Sequence, residues 1–146
     1  MASPLRKLSW RVFHLFTQAH VQAFRASNGR VGRTYHGGPV LLLEHVGRKS
    51  GKRHTSPLIY GQDGDDLLLV ASKGGSHKHP LWWLNLREHP DTTVHVPGER
   101  RRVRARQATP EEKARLWPGM VAIYAPYDDY QQRTERDIPV VILERA

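Results

Sequence analysis

The sequence predicts an α+β domain in which about six short, mostly antiparallel strands close into a small barrel, with helices in the gaps between some of them. Apolar and β-branched segments recur after residue 40, and Gly, Pro and Asp residues typical of tight hairpin turns separate them. The remaining gaps carry helical periodicity. At 146 residues the chain has the length of one domain. We expect that domain to span 1–146, with an N-terminal helix and linker over 1–35 and the barrel over 36–146.

The first segment is predicted to be an amphipathic helix over about 5–26, because apolar residues recur there every three or four positions. Asn28 and Gly29 are expected to end it, since Gly readily adopts the left-handed conformation of a helix cap. No acidic residue precedes Glu44. This helix either packs on the core of the domain or lies in a membrane interface, with Arg and Lys towards anionic lipid. The interfacial aromatic residues would then be Trp10, Phe13 and Phe16.

The later elements follow from local pattern and turn chemistry. Pro57 indicates that the second strand is an edge strand or contains a bulge. One helix begins near Pro80 and a second begins at Thr109, where two acidic residues occupy the first turn. The predicted helices are 81–88 and 109–124, and the predicted strands are 40–46, 53–60, 67–72, 92–96, 102–107 and 138–144.

The composition restricts the possible chemistry. With 23 Lys and Arg against 14 Asp and Glu, the net charge of +9 favours an anionic partner. The chain has no Cys, which excludes disulfides, thiolate metal sites and Cys nucleophiles. We expect no metal ion, because the His77-x-His79 pair has no acidic partner at ligand spacing. No apolar stretch approaches the roughly 20 residues that a membrane-spanning helix needs.

Two segments concentrate positive charge. The first, Gly47 to Arg53, places four cations among glycines but lacks the spacing of a phosphate-binding P-loop. It is either an anion site built on exposed backbone N–H groups or a solvated basic turn. The second carries Arg102, Arg104 and Arg106 on one face of a strand. That face is either solvated or a binding surface for nucleic-acid phosphates.

Aromatic and Gly-rich segments are candidates for a pocket. Successive helical positions point about 100° apart, so we expect Trp82 and Trp83 not to face one core together, and one of them to stack on a flat ring. The Gly-rich loop after Ser72 lets a ligand approach the backbone closely. Tyrosines spaced by three align on one side of a helix or turn, where their hydroxyls can donate a proton or hydrogen bond. They are Tyr124, Tyr127 and Tyr130.

Together these segments resemble the deazaflavin (coenzyme F420)-dependent nitroreductase and quinone reductase family, over about residues 40 to 143. The resemblance implies an FMN-binding-like split β-barrel, coenzyme F420 as the cofactor, and an actinobacterial type of source. The motifs that carry it are Gly47-Arg48-Lys49-Ser50-Gly51, Pro57-Leu58, Ala71-Ser72-Lys73-Gly74-Gly75, Pro80-Leu81-Trp82-Trp83-Leu84-Asn85-Leu86 with Pro90, and Tyr124-x-Pro126-Tyr127-x-x-Tyr130 with Ile138-Pro139.

The resemblance also implies residue roles. Where the family often has Pro then Arg, this chain has Arg53 and His54, so either of the two could face the coenzyme phosphate. An acceptor that receives a hydride becomes an anion. The candidate hydrogen-bond donors to this reduced acceptor are Ser72, Tyr124, Tyr127 and Tyr130. The coenzyme-binding residues implied are Arg48, Lys49, Ser50, Arg53, His54, Thr55, Ser56, Pro57, Leu58, Ala71, Ser72, Lys73, Trp82, Trp83 and Asn85.

The reaction implied is hydride transfer from C5 of reduced F420 to an electron-poor acceptor, which is a quinone, a nitroaromatic or an enone. The alternatives are an FMN-dependent split-barrel oxidoreductase and a small-barrel module that binds nucleic acid. We expect a cytoplasmic enzyme. If the N-terminal helix is the interfacial one of its two alternatives, it would contact the inner face of the membrane, where lipid-borne quinones are found. The oligomeric state stays open.

Overall fold

The computed structural model describes residues 17–146. Helix α1 occupies residues 17–27 of this range. The first part of the predicted N-terminal helix, including Trp10, Phe13 and Phe16, lies outside the described residues. Helix α1 ends as the sequence predicts, because Asn28 and Gly29 both have positive φ, 54° and 83°. The Gly29 N–H donates to Phe24 O at 2.9 Å. A Cβ at Gly29 would lie 2.5 Å from Pro97 Cα, so this turn needs glycine for space as well.

Within residues 17–146, strands form eight segments instead of the expected six. The two additional strands are only two and three residues long, too short to produce a periodic sequence signal. The first predicted strand is longer than expected and the third ends two residues earlier, before Ala71 and Ser72. The bounds are β1 Thr34–Tyr35, β2 Gly38–Val46, β3 Arg53–Ile59, β4 Gly61–Asp63, β5 Asp66–Val70, β6 Asp91–Val96, β7 Glu99–Gln107 and β8 Val140–Arg145.

The sheet is antiparallel throughout and closes on itself. Strand β2 lies between β3 and β6, and the order continues through β7, β8, β5 and β4. Tyr60 alone separates β3 from β4, so the segment 53–63 pairs with β2 at its start and with β5 at its end. This closure confirms the predicted barrel. Pro57 of β3 pairs in register with Leu42 of β2. A proline is tolerated there because, among the described residues, β3 forms its ladder with β2 alone, as an edge strand does.

Three helices follow α1: α2 Leu81–Glu88, α3 Pro110–Ile123 and α4 Pro126–Arg133. The expected number was two. Thr109 caps α3 in a reciprocal capping box with Glu112, which the sequence predicts. The additional helix begins at Pro126, because a proline fits the first turn of a helix, where its missing N–H leaves no hydrogen bond unmade.

The barrel interior is filled by apolar residues of the strands together with helix α2. The expectation that Trp82 and Trp83 would not share one core is wrong. Their exposed fractions are 8% and 3%, and both belong to the cluster inside the barrel. Helix α2 is buried on more than one face, because Trp82, Trp83, Asn85 and Leu86 are all buried. Both indole side chains are long enough to reach the cluster inside the barrel from adjacent positions of the helix.

Two smaller clusters attach the remaining helices. On the outer face of β5 and β8, Leu68 and Ile142 pack against Met120 of α3 and Tyr127 of α4. Helix α1 packs through Val21 and Phe24 on Leu42 of β2. In the described part of the chain, no helix is both long and apolar enough to cross a membrane.

Candidate active site

Two adjoining cavities form one continuous cleft along β3. The larger has a volume of about 800 Å³ and extends to α1, where Thr17, Ala19 and His20 line it. The smaller, about 360 Å³, extends to the loop after β5 and to α4. Both cavities are lined by Tyr35, Pro57, Leu58, Ile59 and Trp82. We call this shared space the central cleft; a void of this size accepts a flat polycyclic ring and a second small molecule.

Strand β3 provides the wall of the cleft with two different faces. Residues directly opposite each other in an antiparallel pair project to the same face. Ser56 is opposite Leu43 and His54 is opposite His45, so these two β3 residues face the side of α2. Arg53 and Thr55 project to the other side, where Arg25 of α1 donates to Thr55 Oγ1 at 2.7 Å. The two candidate phosphate-binding residues, Arg53 and His54, therefore lie on opposite faces of one strand.

The loop after β5 has an unusual backbone that is fixed from both sides. Lys73, Gly74 and Gly75 have consecutive positive φ values of 44°, 62° and 81°. A non-glycine residue in this region carries strain, which the surrounding structure must compensate. A Cβ at Gly75 would lie 3.0 Å from the carbonyl oxygen of Tyr130, and with φ at 81° any side chain there would also strain the backbone, so glycine suits the contact with α4.

Arg136 fixes the same loop by hydrogen bonds to its backbone. Its guanidinium donates to the backbone oxygens of Ser72 at 2.8 Å, Ala71 at 3.1 Å and Ser76 at 2.7 Å, and it contacts His79 Nδ1 at 3.2 Å. Ser72 and Lys73 therefore line the smaller cavity from a loop that is rigidly positioned. In the part of the chain that the structure describes, the Ser72 hydroxyl has no hydrogen-bond partner, so it is free to donate to a ligand.

The three tyrosines form a cluster on the α4 side of the cleft. The hydroxyls of Tyr124 and Tyr130 lie 3.3 Å apart, and the ring of Tyr127 is 5.0 Å from that of Tyr124. The hydrogen bond with Tyr130, together with burial, raises the pKa of Tyr124 to about 12. Burial also raises the pKa of Tyr127. At neutral pH these phenols remain protonated, so they can donate hydrogen bonds. Tyr124 and Tyr127 line the smaller cavity. Tyr130 lies outside its lining and contacts Tyr124 through the two hydroxyls.

Helix α2 contributes one residue to the cleft surface and two to its support. Trp82 lines both cavities, as expected for a stacking indole. Trp83 lies deeper in the barrel cluster. Asn85 is buried, and both ends of its amide form hydrogen bonds within the protein. Its Oδ1 accepts from the backbone N–H of Arg48 at 3.0 Å, and its Nδ2 lies 2.9 Å from His45 Nδ1. Asn85 thus joins α2 to the turn between β2 and β3.

That turn carries a cluster of exposed cations, which we call the basic hairpin: Arg48, Lys49, Lys52 and Arg53. Within residues 17–146 none of them forms an ion pair with a carboxylate. The residues before 17 contain no Asp or Glu that could provide one. Along β3, at about 3.3 Å per residue, the hairpin begins roughly 10 Å from Ser56 in the cleft wall.

The arginines of β7 behave differently. Arg100 pairs with Glu44 at 2.7 Å, Arg104 pairs with Asp91 at 2.7 Å, and Arg106 contacts two glutamates. Arg102 donates to Thr93 Oγ1 at 3.0 Å. These contacts favour the interpretation of a solvated face and weaken the nucleic-acid alternative, because phosphate contacts would have to replace existing ion pairs.

The structure gathers some of the predicted site residues in the cleft and leaves others outside it. The predicted residues that line the cleft are Ser56, Pro57, Leu58, Ser72, Lys73, Trp82, Tyr124 and Tyr127. Those outside its lining are Arg48, Lys49, Ser50, Arg53, His54 and Thr55 on the hairpin and early β3, Ala71, Trp83 and Asn85 in the interior, and Tyr130 on α4.

Sequence reasoning missed several residues that belong to this region. Tyr35 and His20 line the cleft, and His45 lies in its supporting network. Tyr35 is on a strand of two residues, which gives no periodic signal. His45 could have been found as a polar residue on the apolar face of a strand. In residues 17–146, no three His, Asp or Glu side chains come together as a metal-binding group.

A cleft lined by an indole and protonated phenols, next to cations that form no ion pair within residues 17–146, has the chemistry that suits a planar ligand with negative charge. The F420H(2)-dependent quinone reductase family model matches residues 16–145. The chain belongs to this family. It is an enzyme with the FMN-binding-like split barrel, its cofactor is coenzyme F420, and it transfers a hydride from the reduced coenzyme to a quinone.

Individual proteins agree with this assignment. An F420H(2)-dependent quinone reductase of Mycobacterium tuberculosis is 42% identical over 130 residues, which cover 86% of this chain and 87% of that protein. A solved F420-H2 dependent reductase is similar at 37% identity and a TM-score of 0.67, over 73% of this chain and 94% of its own. A structure described as a domain-swapped dimer is 30% identical with a TM-score of 0.69, over 97% of this chain and all of its own. The mycobacterial relative fits the actinobacterial type of source that the resemblance implies.

Proposed function

We propose that the central cleft holds the deazaflavin ring against a quinone, and that the basic hairpin binds the coenzyme's phosphodiester and glutamate tail. The observation that carries this proposal is the contrast between an apolar cleft and an adjacent set of cations without carboxylate partners. A planar ring with an anionic tail matches both halves. When bound, the reduced coenzyme supplies a hydride at C5 of its ring.

The residues present fit such a ligand. Trp82 offers an indole surface next to the ring position, and the strained loop at Lys73 and Gly74 exposes backbone to the smaller cavity. Arg48, Lys49 and Lys52 are on the turn itself, and Arg53, the first residue of β3, carries a guanidinium group whose geometry suits a phosphate. We assign the phosphate contact to Arg53 before His54, because the His54 ring stacks on His45, with 5.3 Å between their centroids.

The chain also provides donors for the oxygen that gains negative charge when a quinone is reduced. Ser72 and Tyr124 line the smaller cavity, and Tyr127 lies beside them. Each presents a neutral hydroxyl at pH 7, and such a group stabilises a developing oxyanion by a hydrogen bond that costs no reorganisation. Tyr130 acts through its hydroxyl contact with Tyr124.

The direct test is an assay with purified protein, reduced F420 and menadione, which follows coenzyme oxidation. We expect turnover with F420 and none with NADPH or added FMN. Turnover with reduced FMN and none with F420 would contradict the proposal. Calorimetry with oxidised F420 provides an independent measurement of binding.

The donor roles are tested by Tyr→Phe substitution. A general acid is worth about 10²–10⁴ in rate, so we expect Tyr124→Phe to lower turnover with menadione by about a hundredfold and to leave coenzyme affinity within about threefold. Tyr60→Phe is the matched control, because Tyr60 is a buried tyrosine that lines neither cavity. If none of the tyrosine variants lowers turnover by more than about twofold, the proton-donor role is wrong.

Peripheral membrane contact is a further part of the proposal, supported by the charge of the N-terminal segment. That segment contains no acidic residue before Glu44, and a quinone acceptor resides in lipid. We expect the full chain to bind vesicles with anionic headgroups and a variant lacking residues 1–16 to lose that binding. Equal sedimentation of both proteins with the vesicles would remove the membrane contact from the proposal.

A further inference from the structure

A chain of hydrogen bonds runs through the protein from the basic hairpin to the cleft wall. The backbone N–H of Arg48 donates to Asn85 Oδ1 at 3.0 Å. The Asn85 Nδ2 lies 2.9 Å from His45 Nδ1, and His45 Nε2 lies 2.9 Å from Ser56 Oγ. Asn85 and His45 are buried, with exposed fractions of 5% and 7%, whereas Ser56 lines the larger cavity. Three elements, α2, β2 and β3, meet in this network.

The direction of every hydrogen bond in this chain is determined by its first member. A backbone N–H is always a donor, so the Asn85 atom that faces Arg48 is the carbonyl oxygen. The other end of the amide is then the NH₂ group, which can only donate, and His45 Nδ1 must accept. A neutral imidazole that accepts at Nδ1 carries its hydrogen on Nε2. Ser56 Oγ therefore accepts from His45.

The imidazole remains neutral under ordinary conditions. Burial, together with the neighbouring His54, lowers the pKa of His45 to about 4. Near neutral pH the His45 ring therefore carries one hydrogen only, on Nε2, and Nδ1 remains an acceptor for Asn85. A hydroxyl that already accepts from His45 keeps one hydrogen of its own to donate. Among residues 17–146, Ser56 has no other side-chain hydrogen bond, so this hydrogen is available towards the cleft that Ser56 lines.

We propose that His45, oriented by Asn85, is a positioning residue that makes Ser56 a fixed hydrogen-bond donor to an acceptor atom on the edge of the bound coenzyme ring. This inference rests on the proposed placement of the ring in the cleft. With one lone pair of Ser56 Oγ occupied by His45, the hydroxyl directs its hydrogen to a carbonyl oxygen or an unprotonated ring nitrogen. The network connects the position of this donor to the basic hairpin through Asn85.

The first measurement needs no coenzyme. In a ¹⁵N NMR spectrum of the full chain at pH 7, we expect His45 to carry its proton on Nε2 and none on Nδ1. Either a proton on Nδ1 or a mixture of the two tautomers would overturn the relay, whatever the cleft binds. Addition of oxidised F420 is expected to shift the Nε2 resonance, because its acceptor Ser56 then donates to the ligand.

The second measurement is the dissociation constant of oxidised F420, obtained by calorimetry. A neutral hydrogen bond corresponds to roughly two- to tenfold in affinity, so Ser56→Ala is expected to weaken binding by about fivefold. Ser56→Thr keeps the hydroxyl and is expected to restore it. His45→Leu should weaken binding similarly in the wild-type background and by less than twofold in Ser56→Ala. Multiplicative losses in the double variant would show that the two residues act independently and would overturn the proposal.

A matched control is available in the same protein. His95 is another buried histidine, with Nε2 at 2.8 Å from Asn28 Oδ1, and it lines neither cavity. His95→Leu is expected to leave the dissociation constant within twofold; a loss as large as that of His45→Leu would indicate a general effect of core disturbance and overturn the assignment. If His45→Leu does not fold, the affinities of Ser56→Ala and Ser56→Thr still test whether the Ser56 hydroxyl contributes to F420 binding. Should wild-type protein fail to bind F420, the proposed function is wrong; should it bind while Ser56→Ala is unchanged, only this inference is wrong.

Discussion

The basic hairpin and strand β7 are both clusters of positive charge in the sequence, but their surroundings in the fold are opposite. On β7, Arg100, Arg104 and Arg106 each contact a carboxylate. In the described part of the chain, the cations of the hairpin contact none. An anion that approaches β7 must compete with carboxylates already in place, whereas one that approaches the hairpin relieves repulsion between like charges. A density of cations therefore predicts an anion site only where the fold leaves them without partners.

The largest expected effect separates the two regions by affinity. Arg48→Gln combined with Lys49→Gln should weaken binding of oxidised F420 by about a hundredfold, because charge-assisted hydrogen bonds contribute about 1.5–3 kcal/mol each and about 1.4 kcal/mol corresponds to tenfold. The matched control, Arg102→Gln combined with Arg104→Gln, removes the same charge from β7 and is expected to stay within twofold. Fluorescence titration measures both.

Equal losses in the two double variants would mean that only the net charge of the protein matters, and the comparison would fail. Single variants sharpen it further. Arg53→Gln is expected to weaken binding by about tenfold, as for one charged partner, and His54→Gln by less. The reverse order would move the phosphate contact to the other face of β3.

A smaller effect is expected from salt. At about 0.1 M ionic strength, interactions between exposed charges are screened over roughly 10 Å, so raising sodium chloride from 0.05 to 0.5 M should weaken F420 binding several-fold in the wild type. The Arg48→Gln, Lys49→Gln variant should show a clearly shallower dependence, and the β7 variant the full one. A wild-type affinity that does not change with salt would contradict an electrostatic role for the hairpin.

The smallest effect concerns stability and arises from the contact between Arg106 of β7 and Glu112 of α3. Hydrogen bonds from Arg106, and then from the Thr109 backbone, lower the pKa of Glu112 to about 2 from an ordinary value of 4.5. A lowered folded-state pKa stabilises the protein above pH 4.5, and the contribution is lost as the pH falls from 4.5 towards 2. Glu112→Gln should therefore lower the Tm by a few degrees at pH 7, with the difference shrinking below pH 4.5.

The control for this stability effect comes from the hairpin. Lys49→Gln removes a charge that has no carboxylate partner among the described residues, so its Tm is expected to equal that of the wild type across the same pH range. A Tm difference for Glu112→Gln that stays constant down to pH 2 would show that its ion pair does not cause the effect.

Local sequence signals predicted the elements that short-range chemistry governs. The hairpin turn at Gly47, the cap at Gly29 and the capping box at Thr109 all form where the sequence places them. Signals failed where the partner lies far along the chain. Strand β1 is only two residues long and exists because it pairs with the start of β2. The shared burial of Trp82 and Trp83 depends on how α2 sits in the barrel, which helical periodicity does not encode.

The candidate site divides in the same way. The stacking indole, the tyrosine cluster and the Gly-rich loop were predictable as residue types near one another in sequence, and eight predicted residues line the cleft: Ser56, Pro57, Leu58, Ser72, Lys73, Trp82, Tyr124 and Tyr127. His45 and Arg136 were not predicted, because their partners are distant in the chain. His45 is 40 positions from Asn85, and Arg136 is 64 positions from Ser72.

The sequence alone determined the barrel, because alternation and turn residues within each hairpin specify antiparallel neighbours, and it also determined the family, through motifs that keep their order along the chain. Only the tertiary structure decided which cations lack a carboxylate partner among the described residues, and which groups surround the His45 ring. Both properties depend on contacts between segments that closure of the sheet brings together, and no local pattern records whether such a contact is made.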